Sequence, residues 1–198
     1  MSKMTIQVAF DYTCPYCYIG HHQVLRLREE FGVEFDYLCY ELWPEGMEIV
    51  HGPVKPDIPG KPRVPTRFEF ALAASGVPKP RHFVDGDRIH NALEATEHAK
   101  AVGVAGQFVD RLFRALWTEG LAINDLNVLS SLAEGIVPDV DALLADVENR
   151  AFADKIVLFD DPAHATGVYN VPTFVINGKK FAEQPFSVLE RAIRAVLN

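Results

Sequence analysis

At 198 residues, 48% apolar and 23% charged, the chain has the size and composition of one globular domain, or of one domain with a large insertion. That composition argues against disordered and fibrous architectures, and the length allows roughly 70% of the unfolded surface to be buried without covalent staples. A formal charge of −8, from 27 acidic and 19 basic residues, argues against a general nucleic-acid or anionic-membrane binder, which needs a cationic surplus to neutralise phosphate.

The first residues run directly into Ile6, Val8 and Phe10, without the successive zones of a signal peptide. No apolar run nears the ~18 residues of a membrane span. A cytoplasmic protein, with no membrane or nucleic-acid partner, is expected. Thr5 to Phe10 alternates and is β-rich, which predicts a strand. After the polar break Asp11-Tyr12-Thr13 and Cys14, Pro15 suits the first turn of a helix that runs to about Phe31 and stops at Gly32. Val33 to Leu42 returns to a strand pattern.

Between Pro44 and Pro65 lie six of the 13 prolines, which predicts an irregular extended loop. From Thr66 to about Arg150 only helical patterns occur: Thr66–Ala74, Arg88–Val102, Gln107–Thr118, Asp125–Ala133 and Asp139–Asn149. Asp87, Asn124 or Asp125, and Asp139 are candidate caps, with Gly76, Gly103, Gly120 and Gly135 as stops. A further helix is expected from about Asp154 toward His164. Thr173–Ile176, the turn Asn177-Gly178, and Lys179–Ala182 then predict a hairpin, followed by an amphipathic helix over Phe186–Leu197. The order β-α-β, helical block, β-β-α predicts an α/β fold with one mixed sheet. Residues 1–65 and 151–198 would form one discontinuous unit and 66–150 a helical insertion.

Cys14-Pro15-Tyr16-Cys17 places a C-x-x-C at a strand-to-helix junction, where both sulfurs meet within one helical turn. Unpaired N–H groups at the helix start favour a thiolate, so Cys14 is expected as the exposed nucleophile and Cys17 as the resolving thiol. Tyr16 adds no positive charge between them, which supports a moderate oxidant over a very strong one. A zinc site would need two further ligands; only Cys39 and seven scattered histidines remain, so no metal is expected. Val171-Pro172-Thr173 is open to two readings, simple punctuation at a strand start or a cis proline. In the second, the backbone of the preceding residue would pair with an extended substrate beside the cysteines.

Phe10-Asp11-Tyr12 before Cys14-Pro15-Tyr16-Cys17-Tyr18-Ile19-Gly20, the stretch Phe113 to Gly120, and the stretch Ala165 to Val175 together resemble the thioredoxin superfamily. Within it they resemble the DsbA-like branch with a helical insertion, and the FrnE-like proteins of that branch. The resemblance implies thiol–disulfide oxidoreductase chemistry on protein or small-molecule thiols, with Cys14 nucleophilic, Cys17 resolving and Pro172 cis beside Val171. It also implies no bound cofactor, with glutathione as a possible redox partner. Two departures bear on it. Val8 stands where many thioredoxin-like proteins place a buried carboxylate, and Asp11, closer to the motif, is either a proton-transfer aid or a helix-entry cap. The related kappa-class glutathione transferases and hydroxychromene-carboxylate isomerases share the insertion but would have serine at the position of Cys14. A glutathione-dependent transferase or isomerase, and a non-enzymatic chaperone, are the competing functions.

Among the remaining candidates, Cys39 reads as a buried inert thiol that could still enter a regulatory disulfide. His21 and His22 read as packed or solvated helix residues, and Arg26 and Arg28 as surface charges. His90 and His98 share a helix face without a metal spacing. Trp43, Tyr37, Tyr40 and Phe68 are either core residues or the lining of a cleft over the motif.

Overall fold

Among the described residues five strands form one mixed sheet in the order β3-β2-β1-β4-β5. They are β1 (Thr5–Phe10), β2 (Glu34–Glu41), β3 (Val157–Leu158), β4 (Thr173–Ile176) and β5 (Lys179–Ala182). The computed structural model describes residues 3–49, 60, 62–83, 87–159 and 161–197. Central β1 pairs parallel with β2 and antiparallel with β4, so the two ends of the chain share one sheet as expected. In this register Val8 lies opposite both Tyr37 and Phe174, and cross-strand partners share a face. That face, with Ile6, Val8 and Phe10 along β1, carries the core. Asn177 and Gly178 both take positive φ, 48° and 75°, which closes the β4–β5 hairpin as the sequence predicts.

Helix α1 (Pro15–Phe31) starts with its proline where no N–H is needed and ends on Gly32 at φ 62°, whose N–H donates to the Arg28 carbonyl at 3.0 Å. Next come α2 (Arg67–Ser75), α3 (His90–Ala101), α4 (Ala105–Arg114), α5 (Leu126–Ala133) and α6 (Val140–Glu148). Helix α2 opens with a reciprocal capping box between Thr66 and Glu69; Asp125 and Asp139 cap α5 and α6. Helix α3 packs on β2 and α6, and α4 packs on α1, which puts this block against the core face of the sheet. The last two helices are α7 (Asp161–Thr166) and α8 (Phe186–Leu197).

Several expectations need correction. Asp87 does not cap α3, which begins at His90; the Asn124 side-chain oxygen accepts the Asn91 N–H there at 2.9 Å. No single helix runs from Asp154 to His164. A short turn of helix at Ala153–Lys155 leads into β3, which pairs parallel with Tyr40–Glu41, and α7 follows. Pro162 explains the break, since within a continuous helix it would remove a hydrogen bond and clash with the preceding turn. The helix expected over Gln107–Thr118 is α4 followed by a wider π turn at Ala115–Glu119, whose Trp117 carbonyl accepts the Arg81 and His82 N–H groups, each at 3.1 Å. Of the proline-rich loop, residues 50–59 and 61 lie outside the described residues.

Candidate active site

Strand β1 ends beneath the start of α1, and the turn between them is fixed by Asp11. Its Oδ1 accepts the Thr13 N–H and the Thr13 hydroxyl, both at 2.6 Å, and its Oδ2 accepts the Leu42 N–H at 2.8 Å. Asp11 does not cap α1, whose N-cap is Cys14 without a side-chain bond; it closes the turn ahead of Cys14 and ties the end of β2 to that turn. It is wholly buried, and burial lifts its carboxyl from the ordinary 3.8 to about 6 against the three hydrogen bonds that hold it down. From the other side, the Trp117 indole Nε1 donates to the Tyr12 carbonyl at 2.8 Å, and the Tyr12 hydroxyl meets Thr96 at 2.7 Å.

Cys14 takes the N-cap position of α1, and its carbonyl accepts the Cys17 and Tyr18 N–H groups at 3.0 and 3.1 Å. This turn sets Cys14 and Cys17 next to each other at the start of α1. Cys14 is not an exposed side chain: 6% of its surface is accessible, against 1% for Cys17 and for Cys39. The difference still orders them, with Cys14 the most accessible of the three residues. Burial, reinforced by the adjacent Cys14 thiol, pushes the Cys17 thiol well above its ordinary range. Burial does the same to Cys39, whose thiol donates to the Leu93 carbonyl at 3.8 Å, away from the pair.

The Val171–Pro172 bond is cis. The Cys14 thiol donates to the Val171 carbonyl at 3.4 Å, so the loop before β4 and the start of α1 meet across 157 residues of sequence. A groove of about 510 Å³ opens beside this junction, lined by Tyr16, Gln23, Pro172, Gln184 and Phe186 among others. The Tyr16 ring sits edge-on to Phe68 at 6.0 Å, and the Arg67 guanidinium lies 5.3 Å above it while bonding Glu183 at 2.9 Å. Of the four aromatic residues weighed as a cleft lining, Phe68 reaches the motif, through Tyr16. Tyr37 and Tyr40 are buried core residues.

Three residues matter more than their sequence signals suggested. Gly20, one turn beyond Cys17, lets α1 and Pro172 touch, and an unexplained glycine inside a helix was the available clue. His21 is buried flat against Phe113, with ring centroids 4.4 Å apart, and burial holds its imidazole down to about 3. Arg28 is not a free surface charge but bonds Asp110 of α4 at 2.5 Å. His90 and His98 do not act together: His90 bonds Glu41 at 2.8 Å and His98 bonds Asp146 at 2.6 Å. Among the described residues no group of three or more His, Cys, Asp or Glu side chains is placed to hold a metal ion.

Comparison with known proteins agrees with this architecture. The family model of the DSBA-like thioredoxin domain matches residues 5–194. The uncharacterized protein YwbO of Bacillus subtilis is 25% identical over 183 residues, covering 86% of each chain. A probable DsbA oxidoreductase from Streptomyces coelicolor superposes with a TM-score of 0.68 at 23% identity, covering 98% of this chain and 90% of its own. The cytosolic disulfide reductase DsbM from Pseudomonas aeruginosa, solved with GSH, gives 0.62 at 20% identity, covering 96% and 100%. With a family model spanning nearly its whole length, the chain belongs to the DSBA-like thioredoxin domain family.

Proposed function

We propose that the chain is a thiol–disulfide oxidoreductase that works through the Cys14–Cys17 pair on protein or small-molecule disulfides. The observation that carries this reading is the contact of the Cys14 thiol with the Val171 carbonyl, with Cys17 in the first turn of α1 three residues on. In the reductive direction Cys14, as thiolate, attacks a substrate sulfur, a mixed disulfide forms and one substrate thiolate leaves. Cys17 then attacks the Cys14 sulfur, forming the intramolecular disulfide and releasing the second thiolate. An extended substrate would lie along Val171 and Pro172, pairing with the Val171 backbone as an added strand does, while Tyr16 borders the groove beside it.

Glutathione is the small thiol this reading favours as partner, a choice supported by a shared fold with a reductase solved with GSH. A place in the FrnE-like subgroup and a cytoplasmic setting, where thiols stay reduced, complete the proposal. Insulin reduction in the presence of dithiothreitol tests it. Turbidity should rise faster with the wild type than without protein, and Cys14→Ser should remove the acceleration. Equal rates for the two proteins would leave the pair without the proposed role.

A further inference from the structure

The second face of the sheet is less closed than the first. The strand register sets Lys180, Val175, Gln7 and Asp36 in one row across β5, β4, β1 and β2. Alternation puts Leu38 and Tyr40 on the same side, and Val157 of β3 joins them opposite Tyr40. These side chains face away from Ile6, Val8 and Phe10. Gln7 is exposed, while Leu38, Val157 and Val175 are half-buried. A groove of about 630 Å³ lies over them, a size that suits a small molecule. Leu38, Val157, Val168 and Val175 give it an apolar lining. Gly20 of α1 lies against Phe174, on the Val8 face, so the sheet separates this groove from the helix that carries the cysteines.

Three lysines line the groove, in a chain whose net charge is −8. Lys100 is committed: its Nζ stands 3.2 Å from Glu97 and 3.3 Å from Asp36, and donates to the Tyr37 carbonyl at 2.6 Å. Lys155 and Lys180 have no carboxylate partner among the described residues. The Lys180 ammonium donates to the Thr166 carbonyl at 2.5 Å, which spends one of its three N–H groups. Gly167, at φ 70°, makes room for it, since a β-carbon there would stand 2.6 Å from Lys180 Nζ. Lys155 lies 5.1 Å from the centre of the Phe152 ring. Two positive charges thus share one groove without an acid to answer them, because Glu97, the carboxylate in the lining, is taken by Lys100.

We propose that this groove binds a small organic anion with an apolar body, of the class of a medium-chain carboxylate. Its head group supplies the charge that Lys155 and Lys180 lack, and its chain covers Leu38, Val157 and Val175. The charge sign selects among apolar ligands: a cationic amphiphile of the same length meets the same floor but the wrong rim. The site is separate from the cysteine pair and does not depend on the thiol–disulfide reading.

The test titrates isotope-labelled protein with decanoate and follows the backbone amides by NMR. Saturable shifts should appear at Gln7, Leu38, Val157 and Val175, and not at Tyr16, Gln23 and Phe186 of the groove beside Cys14. Decyltrimethylammonium should leave the first set unmoved. Lys155→Gln should weaken decanoate binding about 3-fold, and the double variant with Lys180→Gln about 10-fold, as loss of exposed charge pairs does. Lys155 makes no side-chain hydrogen bond among the described residues, so its variant stays readable even if Lys180→Gln loosens the turn at Gly167. No saturable shift, shifts confined to Tyr16, Gln23 and Phe186, equal binding of the cationic probe, or wild-type affinity in both variants overturns the proposal. The readout is binding alone, so its failure is distinct from a failure of the insulin assay that tests the redox reading.

Discussion

Pro172 occupies the space that a β-carbon on residue 20 would need: such a carbon would stand 2.8 Å from Pro172 Cγ and 2.9 Å from its Cβ. The glycine thus sets how closely α1, which carries Cys14 and Cys17, approaches the loop that carries Val171. Both partners are stiff, one a proline ring and the other a helix backbone, so neither yields without moving its element.

Gly20→Ala is accordingly expected to destabilise, although alanine is intrinsically the better helix former by ~0.5–1 kcal/mol. Overpacking of this kind costs about 1–3 kcal/mol, which leaves a net loss on the order of 1–2 kcal/mol. Urea denaturation of the variant beside the wild type measures it, and insulin reduction should slow as the Cys14–Val171 contact opens. A raised midpoint would show that the contact yields freely and that Gly20 sets nothing.

The three cysteines should react in a fixed order. Cys14 is the most accessible, and burial pushes both Cys17 and Cys39 thiols upward, away from the reactive thiolate. Limiting iodoacetamide at mildly alkaline pH, mapped by peptide mass spectrometry, should label Cys14 first. Early labelling of Cys39 would contradict the burial seen at Leu93 and the role given to Cys14.

What the sequence made legible follows the range over which each signal acts. Strand β1, helix α1, the β4–β5 hairpin and α8 coincide with their expected limits because alternation, Pro15, Gly32 and Asn177-Gly178 act locally. Strand β3 was hidden, since Val157 and Leu158 become a strand only by pairing with Tyr40 and Glu41 more than a hundred residues earlier. The start of α3 was misplaced for the same reason, its first turn being satisfied by Asn124 from another loop. At the site, the C-x-x-C and Val171-Pro172 were visible as motifs. For His21 the sequence does not decide between packed and solvated, because its burial depends on Phe113 from a helix whose docking no local pattern encodes.

Asp11 should leave a signature in the pH dependence of stability. Its carboxyl rises from 3.8 to about 6 on folding, so the folded chain holds this proton more tightly than the unfolded one. Its contribution is fully present below about pH 4, declines as pH rises, and is lost above about pH 6. At 1.36 kcal/mol per unit the change across that window is on the order of 2–3 kcal/mol. Asp11→Asn removes the titration, so the difference in unfolding free energy between wild type and variant should drift in the wild type's favour as pH falls through the window. A difference that stays level from pH 6 to 4, by chemical denaturation at each pH, would place the titration elsewhere.

The entry turn is held from the helical block as well, and Trp117 allows that link to be separated from general stability. Its indole Nε1 donates to the Tyr12 carbonyl two residues before Cys14, and its ring lies 5.2 Å from that of Tyr18, just after Cys17. Its own carbonyl accepts the Arg81 and His82 N–H groups. Trp117→Phe keeps an aromatic ring but leaves the buried Tyr12 carbonyl without its donor, at a cost of about 1–3 kcal/mol. Leu129→Ala provides the comparison: Leu129 is wholly buried in α5, and its truncation should cost ~2–5 kcal/mol. If Trp117 acts on the site through Tyr12, its variant should alkylate faster at Cys14, because a looser turn exposes the thiol, while Leu129→Ala, though less stable, should label at the wild-type rate under folding conditions. Equal acceleration in both variants would mean that the labelling reports global opening and that the Trp117–Tyr12 bond has no local effect on the cysteine pair.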